Sequence, residues 1–142
     1  MGIIAFDITE TWDFSLASDE SEPKTIFHLG HLDSALAAFL MDSVADYKVS
    51  DKGKDGSTDI TFNVFQRDRE LVKFGVKGWE NLSKADGSPV VPTYRKISVG
   101  GKVGIRQGLS DESLDFLRPY FSEIAKAIEA GNKLTETETK NL

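Results

Sequence analysis

Apolar and polar positions change period several times along the chain, and each change predicts an element. Residues 3–16 alternate loosely and carry Phe6, Ile8, Trp12 and Phe14, the pattern of extended chain that packs on something. Residues 15–23, with Asp19, Glu20 and Glu22, hold too few apolar groups to pack and predict a surface loop. Residues 25–29 predict a short strand, and Gly30 and His31 lead to Asp33, an N-cap for a helix running to about Tyr47. Leu36, Phe39, Leu40, Val44 and Tyr47 share one face of that helix, with Asp42 and Asp46 on the other. Residues 49–59 are polar and contain glycine, so they predict a loop.

The stretch 60–65 suits a strand or an irregular entry. Phe65, Asp68, Leu71, Val72, Gly75, Val76 and Trp79 then recur at helical spacing, which predicts a helix over about 67–81. Residues 83–89 contain an Asp-Gly pair and Pro89, which is turn chemistry. Residues 90–99 and 102–107 predict two strands joined through Gly100-Gly101. Ser110 is an N-cap followed by Asp111 and Glu112, and Leu114, Leu117, Phe121, Ile124 and Ile128 form a helical seam interrupted at Pro119. Proline removes a backbone donor and clashes with the preceding turn, so a kink or two short helices is expected there. Gly131-Asn132 reads as a helix stop, Thr135 as the cap of a last polar turn, and residues 133–142 as a flexible tail. Together these elements predict a single α+β domain over 1–142, a small antiparallel sheet packed with about three helices.

Composition narrows the function classes. The 142 residues include no cysteine, which excludes disulfides and thiolate chemistry, and no apolar run approaches a membrane span. The N-terminal residues lack the cationic region of a secretion signal, so the chain is expected to stay where it is made. Net charge is −6 but unevenly spread: 12 acidic and 4 basic side chains in residues 1–62, 4 and 9 in 63–106, and 7 and 4 in 107–142. The acidic total argues against nucleic-acid binding, which draws on phosphate neutralisation. The basic centre, Arg67, Arg69, Lys73, Lys77, Arg95, Lys96, Lys102 and Arg106, suits an acidic partner or the acidic end of another copy.

Sites of chemistry are thin. Residues 51–59 resemble a calcium loop with acidic groups at positions 1, 5 and 9, but Gly53 and Phe62 stand where oxygen ligands are required. His28 and His31 have a ligand-like spacing but do not share a face in a strand that leads into a turn, so they read as structural. Two histidines and no nucleophile elbow leave little from which to build a triad. Gly100 to Gly104 do not make a phosphate loop. The expectation is therefore a non-enzyme with no metal and no cofactor. The aromatic residues ask for a partner instead: Trp12, Phe14, Phe62, Phe65, Phe74 and Trp79 supply the side-chain types that anchor interfaces.

The segment Phe74-Gly75-Val76-Lys77-Gly78-Trp79-Glu80-Asn81-Leu82, followed by Asp86-Gly87-Ser88-Pro89-Val90, resembles small morphogenesis proteins of tailed bacteriophages and prophages, in which a hydrophobic helix ends in Gly-Trp before an Asp-Gly-x-Pro turn. Residues 23–30 and the ending from Asn132 through Asn141 are also similar. Tail-assembly chaperones share the Gly-Trp and Asp-Gly features, but their pattern is more helical and lacks a hairpin at Gly100-Gly101. That departure leaves room for a permanent virion component. The resemblance implies binding to other virion proteins, or to itself as a homo-oligomer, in the host cytoplasm during assembly or in the particle, with no nucleic-acid or membrane partner. The expected contact residues are Trp79, Phe74, Phe121, Arg67, Lys73 and Lys77. The alternative is a small acidic phage-encoded inhibitor of a host nucleic-acid-binding or defence protein, with the N-terminal third imitating phosphates.

Overall fold

A computed structural model of the chain describes residues 3–40, 57–100 and 103–140. The elements are β1 (Thr11–Phe14), β2 (Ile26–Gly30), α1 (helical over 34–40), α2 (Ser57–Gly75), β3 (Val76–Glu80), β4 (Tyr94–Val99), β5 (Gly104–Leu109), α3 (Asp111–Leu117), a 3-10 turn (Arg118–Tyr120) and α4 (Phe121–Lys140). The fold is α+β: a three-stranded antiparallel sheet in the order β1-β2-β3, a two-stranded antiparallel hairpin β4-β5, and helices packed with them.

Two apolar rows cross the three-stranded sheet. Phe14, Phe27 and Trp79 stand opposite one another, as do Trp12, Leu29 and Val76. Neighbouring side chains along a strand point to opposite faces, so Asp13, His28 and Gly78 line the other, polar face. Phe27, Leu29, Val76 and Trp79 are all buried, and full burial of side chains of this size contributes about 1.5–3 kcal/mol each.

The helix expected over 67–81 is corrected at both ends. The backbone is already helical at Ser57, so 60–65 is neither strand nor irregular, and at Gly75 the chain passes directly into β3. The misreading has a definite cause. Leu29 pairs with Val76 and His28 with Gly78, leaving Lys77 as the extra residue of a β-bulge. A regular strand would put Val76 and Trp79, three apart, on opposite faces; the bulge returns both to the core. Helical spacing and a bulged strand thus give the same apolar pattern. Gly75 sits where a Cβ would stand 2.5 Å from Ile128 Cδ1, which fixes the close approach of α2 to α4.

The C-terminal region follows the expected interruption. Ser110 Oγ accepts the Ser113 N–H at 3.2 Å, capping α3, and Pro119 lies in the 3-10 turn that separates α3 from α4. Leu114, Leu117, Phe121, Ile124 and Ile128 all enter the core. The expected stop at Gly131-Asn132 is overturned, because α4 runs through it to Lys140 and leaves no break at 133. Gly131 serves a different purpose: a Cβ there would collide with the Trp12 indole, so the missing side chain makes room for β1 to pack on α4. The turn at 83–89 forms as expected, with Asp86 Oδ1 accepting the Ser88 N–H at 2.9 Å and Gly87 at φ 87°, while the hairpin strands expected over 90–99 and 102–107 run over Tyr94–Val99 and Gly104–Leu109. Val44 and Tyr47 of the expected α1 face, residues 51–56 of the calcium-like loop, and Gly101 and Lys102 lie outside the described residues; 57–59 begin α2.

Candidate interaction surface

Of the six expected contact residues, the three aromatic ones are buried. Phe74 is 3% exposed, Phe121 4% and Trp79 7%, all inside one core cluster. Trp79 Nε1 donates to the Val90 carbonyl at 2.8 Å and its ring meets Phe27 edge-on, so both its polar and its apolar parts are satisfied within the chain. Arg67 donates to Glu129, joining α2 to α4. Lys73 pairs with Glu70 at 2.9 Å and lies 5.7 Å from the centre of the Phe74 ring. Lys77, the bulge residue, lays its stem across Gly30 and donates from Nζ to the Phe74 carbonyl at 2.8 Å. Desolvation of that ammonium pushes its pKa below the ordinary lysine value, with Asp33 pulling the other way, even though the residue as a whole is exposed. The six lie on α2, β3 and α4, with the three aromatic side chains buried between these elements and the three cations at their margin. Phe74, Phe121 and Trp79 are thus engaged within the chain, whereas Arg67 and Lys73 are half-buried and Lys77 is exposed.

The basic centre is largely spent in the same way. Arg106 Nε donates to Asp33 at 2.7 Å, which ties β5 to the start of α1 and holds the Asp33 carboxyl below the usual carboxylate range. Asp33 also accepts the Leu36 N–H at 3.0 Å, so one carboxylate caps the helix and anchors the hairpin. Arg69 reaches Asp111 at 3.0 Å. Arg95 approaches the same carboxylate only to 3.8 Å, with both side chains mostly in solvent, and Lys96 is exposed beside it on β4.

What the fold leaves outside is the segment before β1. Ile3 is 92% exposed, Ile4 87%, and Phe6 and Ile8 are both exposed. The arm touches the body where the Phe6 ring meets His31 edge-on at 4.7 Å, and Trp12 packs on the same imidazole at 5.0 Å. His31 is buried, and its Nδ1 has no hydrogen-bond partner. Asp7 accepts from both the N–H and the hydroxyl of Thr9, a turn that lowers its pKa and bends the arm towards β1. The hairpin carries a second exposed apolar set, Ile105 and, just before β4, Val91.

No protein-family model, curated protein or solved structure matches the chain. The surface is accordingly read from its own chemistry. His28 bridges the sheet, with Nδ1 2.8 Å from Asp13 and Nε2 3.4 Å from Glu80, while His31 faces aromatic rings, so the two histidines go to separate environments. Among the described residues no group of three or more His, Asp or Glu is arranged to hold a metal, and no helix is long and apolar enough to cross a membrane. The signal for the arm was present in the sequence as an Ile-Ile-Ala-Phe-Asp-Ile run ahead of the first strand. The sequence pattern led to the expectation that it packs on something; in this chain alone, most of it does not.

Proposed function

We propose that this chain is a non-enzymatic component of phage particle assembly that works by docking on other virion proteins. The observation that carries the docking part is the exposed apolar arm, where isoleucines at 92% and 87% exposure precede a strand that is well packed on its inner face. Apolar groups contiguous in sequence and left in water gain by burial against a partner, whereas scattered ones need no explanation. The phage setting is supported by the resemblance of residues 74–90 to tailed-phage morphogenesis proteins. The alternative of a phosphate-imitating inhibitor draws less support, because Asp13, Asp19 and Asp33 of the acidic N-terminal third are engaged by His28, by Ser21 and Thr25, and by Arg106.

Copy-number mass spectrometry of purified particles from the phage or prophage that encodes the chain tests the setting. The proposal expects the chain in particles at a multiple of a ring or lattice symmetry. Its absence from particles, with abundance in infected cells, would refute a place in the finished particle and leave a transient assembly role or the inhibitor reading.

A further inference from the structure

Four strands lie at sheet edges, β1 and β3 in one sheet and β4 and β5 in the other, and two of them, β1 and β4, carry exposed side chains of opposite charge. β1 is an outer strand of the three-stranded sheet, and among the described residues Thr11–Phe14 make no backbone hydrogen bond beyond their pairing with β2. Around this edge stand Asp7, Glu10 and Asp13, all exposed, and Ile3, Ile4 and Ile8 lie on the arm that precedes it across the turn at Ile8-Thr9. β4 is one of the two strands of the hairpin, and its backbone likewise bonds only to β5 among the described residues. Arg95 and Lys96 stand exposed on it, Arg95 with its loose approach to Asp111, and Ile105 is exposed on the neighbouring strand opposite Ser98.

Open edges are templates for strand addition, and natural folds usually blunt or cover them. Charge decides which pairing is allowed here. Joining β1 to β1 of a second copy brings Glu10 and Asp13 against their own kind, and joining β4 to β4 does the same for Arg95 and Lys96; like charges facing across strands are destabilising. Joining β1 of one copy to β4 of the next sets acidic against basic side chains. We propose that copies of this chain associate head to tail by adding the β1 edge and its arm to the β4 edge of the next copy. The contact makes a continuous sheet from the three strands of one copy and the hairpin of the other. It is heterologous, so each added copy presents the same open edge again, and the assembly grows to a closed ring or a filament rather than stopping at a dimer. The inference does not depend on the phage setting, and its failure would leave that setting to be judged on particle composition.

Sedimentation equilibrium of the full chain over a wide concentration range, at low and high salt, is the test. The expected result is dimers, trimers and larger species whose formation weakens as salt rises. Lys96→Glu and Glu10→Lys should each weaken association roughly tenfold. Mixing the two variants should restore it, because every contact between unlike variants again joins opposite charges. Near-UV circular dichroism identical to wild type confirms that both variants fold. A monomer at every concentration, a dimer that goes no further, or association that neither reversal weakens would overturn the proposal.

Discussion

At the scale of single residues, one glycine shows how packing overrides backbone preference. Gly131 lies inside α4, where alanine would ordinarily be favoured by roughly 1 kcal/mol. Here a Cβ meets the Trp12 indole, and overpacking of that kind costs about 1–3 kcal/mol. Gly131→Ala should therefore be destabilising in urea unfolding; a gain in stability would show that the indole is not seated there. Two carboxylates respond to pH in opposite senses. Asp33, held down by Arg106, contributes stability that is present above the ordinary carboxylate pKa and is lost as pH falls through its lowered value. Asp68 on α2 is raised by burial, partly offset by Arg67 and Lys126, so it contributes most when protonated and that contribution is lost as pH rises through its raised value. Stability measured from pH 7 down to 3 should fall less steeply in Asp33→Asn than in wild type, because the substitution keeps a helix cap and removes the ion pair. Asp68→Asn should be no less stable than wild type at pH 7.

At the scale of elements, the bulge in β3 decides where Trp79 goes. Deleting Lys77 removes the extra residue, so Trp79 and Val76 can no longer both face the core. Loss of one large core side chain from its site costs about 3–5 kcal/mol, so the deletion should abolish cooperative unfolding or lower the urea midpoint sharply. An unchanged Trp79 indole N–H resonance in that variant, still bonded to Val90, would contradict the register. The N-cap of α3 makes a smaller claim: Ser110→Ala should cost about 0.5–2 kcal/mol, since its Oγ also meets the Thr93 hydroxyl at 2.5 Å. Much at this scale was legible in the sequence. The Asp33 and Ser110 caps, the Asp-Gly turn, the hairpin and the break at Pro119 all rest on local chemistry, and local chemistry is what a sequence displays. The β3 bulge and Gly131 were misread because their reasons lie elsewhere, in the partner strand β2 and in Trp12. The entry to α2 was misread for a related reason: Ile60, Phe62, Val64 and Phe65 favour strands by type, and helix formation there runs against that preference.

At the scale of the whole molecule, the aromatic residues expected to bind a partner are buried in the core, and the basic ones pair within the chain, Arg67 with Glu129, Lys73 with Glu70 and Lys77 with the Phe74 carbonyl. Side-chain type distinguishes neither case, because Trp, Phe and Arg anchor cores and interfaces by the same physics. Burial separates them: Trp79, Phe74 and Phe121 lie in the core where α2, α4 and β3 meet, while the aliphatic arm and Arg95 and Lys96 on β4 stay exposed. Ile3→Asp combined with Ile4→Asp should leave the unfolding free energy within about 0.5 kcal/mol of wild type, as expected for exposed positions, while weakening association. The central claim, that the arm and hairpin edge are the binding surface and the aromatic cluster is not, is tested most directly by hydrogen exchange of the full chain at increasing concentration. The account predicts that amides of residues 3–14 and 94–99 gain protection together, while those of residues 71–80 keep the slow exchange of a core at every concentration. Protection that appears elsewhere, with residues 3–14 unchanged, would contradict it.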